Sequence, residues 1–356
     1  MRKIIAANFL AFSLTASAMA QTSLPPVPAP QAVPKPAPVT KGPYAPQALL
    51  PGGIVMPLFP ANSPYLNAKR IHEVEEYTMD PAVPGRVQRI VNIHNPSIEV
   101  HFAGANNNTG TAIILAPGGG HQTLVVGLEG ADPVPYFFQY GINTIILRNR
   151  LRRDGYDPKT DEVYDIQQAI RTVRAHAAEW HIDPHKIGIM GFSAGAELTM
   201  GAAIQYPDFD RKNSAANDPL AGTTSRPDFV AAIYPGPSLF TPAQVAKAGT
   251  PPIPKDAPPS FVAGAGWQDK VHAVWADEYF AAMLNAGIPN VEIHIYARGV
   301  HGNGLAYRDF TGEGSWQDRF IHWLRDLGFF EKPGVETLAA KDVSAFVAQP
   351  AAAATP

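Results

Sequence analysis

Cysteine is absent from this 356-residue chain. With no thiol, a cysteine nucleophile, a thiolate zinc site, a cysteine-ligated iron–sulfur cluster and every disulfide are excluded. Charge of one sign is scarce as well. A formal net charge of −3 removes the electrostatic reason to expect nucleic acid or an anionic membrane as partner. A long hydrophobic run is also missing. The apolar stretch Ile4 to Ala16 falls short of the ~20 residues that span a bilayer. What the chain has in excess is proline, 36 against 30 glycines, together with 46% hydrophobic residues, enough for a full core.

The first twenty residues read as a secretory signal. Arg2 and Lys3 precede the short apolar run, and Ala18-Met19-Ala20 supplies the small-x-small cleavage pattern. Cleavage after Ala20 would leave an exported protein, periplasmic or extracellular, with no integral membrane segment. Twelve prolines lie between Pro25 and Pro60, and such a stretch lacks amide donors and stays extended. The expected organisation is a signal over 1–20, a Pro-rich linker over 21–53, one catalytic domain over 54–330 and a tail over 331–356. No internal repeat is present.

Strand and helix periodicity alternate from about Arg86 to Leu327. Arg89 to Ile93 and Ile98 to Phe102 read as two strands joined by the turn Asn95-Pro96-Ser97. Thr111 to Leu115, Ile142 to Leu147, Ile187 to Met190, Phe229 to Tyr234, Phe261 to Ala265 and Val291 to Tyr296 follow as strands. Asp161 to Trp180, Ala273 to Ala286 and Ser315 to Leu327 have helical spacing. This alternation predicts an α/β fold with a mostly parallel sheet covered on both faces, and reactive groups on the loops after the strands.

One of those loops is Gly191-Phe192-Ser193-Ala194-Gly195, with a strand before it and a helix-compatible run after it. This is G-x-S-x-G in the setting that lifts a serine hydroxyl above a sheet; an ordinary serine in a tight turn is the alternative. Ala116-Pro117-Gly118-Gly119-Gly120-His121 follows the strand Thr111 to Leu115. The amides of Gly119 and Gly120, with that of Ala194, are the expected oxyanion donors. A merely flexible glycine turn is the rival, and no G-K-[ST] follows to make a phosphate loop. Among eleven histidines, His301 lies in a glycine-flanked loop after a strand and is the candidate base. His294 and His322 fall inside elements. His176, His181 and His185 cluster, but Pro184 breaks the helix that would align them on a metal. Asp269, in the loop after Phe261 to Ala265, completes the order Ser, Asp, His; a helix N-cap is its structural alternative.

With those residues in hand, the chain resembles the α/β-hydrolases, and within them the secreted bacterial acetyl (xylan) esterases and the feruloyl/acetyl esterase-like hydrolases. The resemblance covers about Ile54 to Phe330. Its pieces are Pro117-Gly118-Gly119-Gly120, Glu129-Gly130, Gly141-Ile142, Asn149-Arg150-Leu151, Asp165 with Ala169-Ile170-Arg171, Ile182-Asp183-Pro184, the elbow, Ser225-Arg226-Pro227-Asp228-Phe229, and Asp269 with His301. It implies a single-domain α/β-hydrolase fold and a Ser193–Asp269–His301 triad needing neither metal nor cofactor. The implied substrate is an acetylated carbohydrate or small ester. His121 departs from the family, where an aromatic residue is usual, and stands as a possible substrate contact. A peptidase or amidase of the same fold, and an inert carbohydrate-binding homologue, are the rival readings. Oligomeric state is open. Two long loops, Phe209 to Thr224 and Gly249 to Pro259, are expected to border the site.

Overall fold

A computed structural model describes residues 41–215, 218–305 and 312–350. The expected signal, its cleavage point and most of the linker therefore lie outside the described residues. Eight strands form one sheet in the order β1-β4-β6-β5-β7-β8-β9-β10. They are β1 (Ile54–Pro57), β4 (Ser97–His101), β6 (Asn143–Arg148), β5 (Ala112–Ala116), β7 (Ile187–Phe192), β8 (Phe229–Ile233), β9 (Ser260–Ala265) and β10 (Glu292–Tyr296). From β6 to β10 every pairing is parallel, and β4 and β1 add antiparallel to one edge. The strand alternation seen in the sequence thus becomes the mostly parallel sheet it predicts.

The continuous apolar strands are explained by cover on both faces. In β5, Ile113 and Leu115 join a core with Phe137 and Phe320, while Ala112, Ile114 and Ala116 join another with Val163, Ile166 and Leu198. The first face is covered by α1 (Pro133–Phe138) and α6 (Trp316–Asp326), the second by α2 (Asp161–Ala175) and α3 (Ala194–Lys212). A third cluster seats α5 (Lys270–Asn285) beside α3 through Tyr279, Met283 and Met200.

Three expectations change. Asn95-Pro96-Ser97 does not close a hairpin: β3 (Val87–Val91) pairs with β2 (Glu76–Met79) in a separate two-stranded sheet, while β4 pairs with β1 and β6. Residues 44–49 are not free linker, because Tyr44, Ala48 and Leu49 are buried. The expected tail carries α7 (Leu338–Val347), which buries Ala339 and Val343. Its Thr337 side chain caps the helix by accepting from the Ala340 amide at 3.0 Å.

Candidate active site

Every loop at the carboxyl ends of the parallel strands contributes to one place. Ser193 stands between β7 and α3 with φ 54° and ψ −118°, a conformation costly for a residue with a Cβ. The turn closes only because its neighbours are small. A Cβ on Gly195 would lie 2.0 Å from the Ala116 carbonyl oxygen, and one on Gly118 2.9 Å from Ser193 Cβ. The elbow and the glycine loop after β5 are therefore in backbone contact. Gly119 and Gly120 have φ of 131° and 64°. Among the described residues, the amides of Gly119, Gly120 and Ala194 donate to no backbone carbonyl of a neighbouring loop. Gly120 and Ala194 line the cleft beside Ser193.

The structure brings together the three residues singled out for acyl transfer. Ser193 Oγ lies 2.8 Å from His301 Nε2, and His301 Nδ1 lies 2.9 Å from Asp269 Oδ2. An ionised carboxylate only accepts, so Asp269 fixes the proton on Nδ1 and leaves Nε2 to accept from the serine hydroxyl. Asp269 does stand at the N-cap position of α5, but its carboxylate caps no amide there. It goes to two imidazoles instead, since His272 Nδ1 donates to Oδ1. Burial pushes the Asp269 carboxyl up, but the hydrogen bonds from His272 and His301 outweigh it and hold the group below its usual range. The rings of His272 and His301 stack with centroids 3.7 Å apart.

His121 faces the cleft yet has both ring nitrogens taken, by Glu162 at 2.8 Å and Glu197 at 3.2 Å. Burial works against its charged form. The two carboxylates prevail and hold its pKa up to about 9. A ring so engaged is a fixed positive group, not a free base. His176 pairs with Glu179 and stacks on Trp180. Among the described residues, only Asp269, His272 and His301 cluster closely enough to hold a metal ion, and two of these belong to the Ser193 relay.

Sequence reasoning missed the supports beneath the site. Glu129 Oε2 accepts from the Gly118 amide at 2.7 Å, and Oε1 accepts from the Tyr234 hydroxyl at 2.8 Å. Tyr234 Oη in turn accepts from the Gly304 amide at 2.9 Å. Burial raises the pKa of both Glu129 and Tyr234. Glu313, under the histidine loop, accepts from the Val300 amide at 3.1 Å, and burial raises its pKa to about 7. The signal for His272 was available, since it stands three residues after Asp269 and thus one helical turn along α5.

The cleft has a volume of about 680 Å³. Its walls come from residues 152–159 after β6, Gly236 and Pro237 after β8, α4 (Pro242–Ala248), and His272 and Trp275 of α5. Among the described residues, neither Phe209 to Thr224 nor Gly249 to Pro259 lines the cleft. For the first, Phe209 to Lys212 belong to α3 itself, whose 19 residues carry the chain about 28 Å from Ser193 before it leaves the helix.

Known proteins resemble this chain in sequence and in fold. The BD-FAE family model matches residues 106–249. An acetylxylan esterase of Xylanibacter ruminicola is 29% identical over 233 residues, 62% of this chain and 45% of that protein. An endo-1,4-beta-xylanase B of Butyrivibrio fibrisolvens is 27% identical over 220 residues, 56% of this chain and 33% of that protein. The chain thus spans less than half the length of these curated relatives. Among solved structures, an acetyl ester-xyloside bifunctional hydrolase of Caldicellulosiruptor lactoaceticus superposes with a TM-score of 0.60 at 25% identity, over 77% of this chain and 96% of that one. A carboxylesterase of Lactobacillus plantarum shares the fold, with a TM-score of 0.54 at 19% identity over 65% and 93% of the two chains. Sheet order, serine elbow and superposition converge: the chain has the α/β-hydrolase fold, and the proteins it resembles include an acetylxylan esterase and carboxylesterases.

Proposed function

We propose that this protein is an exported serine esterase that removes short acyl groups, acetyl above all, from plant polysaccharides such as xylan or xyloglucan. Ser193 Oγ attacks the ester carbonyl while His301 Nε2 takes its proton. The oxyanion rests on the amides of Gly119, Gly120 and Ala194, each such donor contributing about 2.7–4 kcal/mol to the transition state. Asp269 orients the imidazole and stabilises its cation. His301 then protonates the departing sugar hydroxyl, and a water activated by the same nitrogen releases the acid. The observation that carries this reading is the unbroken relay Ser193–His301–Asp269 at 2.8 and 2.9 Å. The acetyl preference rests on the relatives, and export rests on Arg2 to Ala20 alone.

Hydrolysis of 4-nitrophenyl acetate by the wild-type chain and Ser193→Ala tests it. Removal of the nucleophile should lower kcat by about 10³-fold or more. Equal rates would overturn the proposal. Activity confined to peptide or amide substrates would instead favour the peptidase reading.

A further inference from the structure

The cleft around Ser193 is much larger than an acetyl group requires, and its outer walls carry cations. Arg152 lies on the turn after β6, Lys159 on the loop before α2, and Lys247 on α4. The first two are held in place by uncharged partners. Arg152 Nη2 donates to the Gly120 carbonyl at 3.1 Å, and Lys159 Nζ donates to Gln244 Oε1 across the cleft. Among the described residues, none of the three has a carboxylate within ion-pair distance. The buried arginines Arg148, Arg150 and Arg171 each reach a carboxylate, whereas these three cleft cations do not.

Two carboxylates face the same cleft, Asp157 and Glu197. Glu197 is engaged by His121, and Asp157 Oδ1 accepts from the Lys159 amide at 2.7 Å. The charge of His121 is offset by Glu162 and Glu197, so the positive groups left to the cleft are the three on its outer wall. A cationic cleft in a chain of net charge −3 is a local feature and not the overflow of a basic protein. Concave walls focus such a field on whatever enters.

We propose that this cleft recognises a carboxylate on the ester substrate through Lys159, Lys247 and Arg152. The proposal rests on the esterase reading and names the substrate class within it: acidic esters. The carboxylate belongs either to an acidic sugar on the alcohol side, such as a uronate, or to the far end of a dicarboxylic acyl group. Both would meet the same cations while the ester carbonyl lies at Ser193.

Three measurements on the full chain test it, the first two as pairs of substrates. The first compares an acetylated oligosaccharide bearing glucuronate with the same compound reduced to its neutral glucose form. The second compares 4-nitrophenyl hemisuccinate with 4-nitrophenyl acetate. In at least one pair, kcat/KM at low salt should favour the acidic member by about tenfold. That ratio should shrink toward one at about 0.5 M NaCl and in Lys159→Gln/Lys247→Gln. Using the ratio within one variant removes any common loss through misfolding. A preference in the first pair places the carboxylate on the alcohol side, and in the second on the acyl side. Acidic and neutral members equal within about twofold at all salt concentrations would overturn the proposal. The third measurement needs no turnover: calorimetric titration of Ser193→Ala with glucuronate, succinate and glucose. If no ester is hydrolysed at all, the esterase reading fails while this titration still decides the site. Saturable binding of an acid, weakened by salt and by the double substitution, supports it, and no binding of either acid overturns it.

Discussion

At the scale of single residues, chemistry was legible where backbone context announced it. Ser193 lies between two glycines at a strand-to-helix junction, and His301 lies in a glycine-rich loop, so both residues declare the exposed turns that carry them. Buried polar residues announce nothing of the kind. Glu129 and Tyr234 sit among apolar neighbours, and only three-dimensional closure shows that they meet over |i−j| = 105. His121 shows the same limit. Its place at the mouth of the glycine loop suggested substrate contact, whereas its two carboxylate partners come from α2 and α3, far along the chain. Its raised pKa has a thermodynamic consequence. Free histidine titrates near 6.5 and the folded ring near about 9, so the folded state holds the proton more tightly. The resulting stabilisation is complete below about 6.5 and disappears as pH rises through about 9. Urea unfolding of wild type and His121→Gln should therefore differ by about 3 kcal/mol more at pH 6 than at pH 10. A difference that stays constant across that range would mean the ring is not held charged.

At the scale of elements, strand order and loop placement did most of what the sequence pattern implied. Parallel strands must return through helices, so the loops after β5, β7, β9 and β10 share one end of the sheet. That rule delivers the relay without any knowledge of side-chain contacts. It does not say how loops from separate crossovers are kept in register with one another. The Glu129–Tyr234 link does this, because it joins Gly118 of the glycine loop to Gly304 of the histidine loop. The Tyr234 ring also meets His301 edge-on at 5.1 Å. Tyr234→Phe keeps that ring contact and removes only the hydroxyl. Misplacing oxyanion donors and base relative to each other should lower kcat by about 10-fold or more, with KM far less affected. The fold should lose only about 1–3 kcal/mol from the unpaired Glu129 oxygen. Steady-state kinetics alongside a thermal melt would check both, and an unchanged kcat would reduce the link to plain packing.

At the scale of the whole molecule, the boundaries of the folded body were the least legible feature. Proline-rich sequence reads as linker because proline lacks an amide donor, yet donors are still available between the prolines. Leu49 and Leu50 give their amides to Glu99 at 2.6 and 2.9 Å, while Arg148 binds the same carboxylate at 2.8 Å. Arg148 and Glu99 are fully buried beneath this segment, with Glu75 as a second carboxylate at 3.1 Å from the guanidinium. The segment before β1 thus shields a charged cluster at the antiparallel edge of the sheet. A chain that begins at residue 54 would open that cluster to water and strip Glu99 of two donors. It would also lose the buried Tyr44, Ala48 and Leu49. Hydrogen bonds to a charged group are worth about 1.5–3 kcal/mol each, so this chain should be less stable than one beginning at residue 41 by about 3 kcal/mol or more. Paired urea titrations measure the difference directly. The cluster is built on β4 and β6, and β5 stands between it and β7 with Ser193, so the shorter chain that remains folded should keep its KM for 4-nitrophenyl acetate. Equal stability of the two chains would return residues 41–53 to the status of linker.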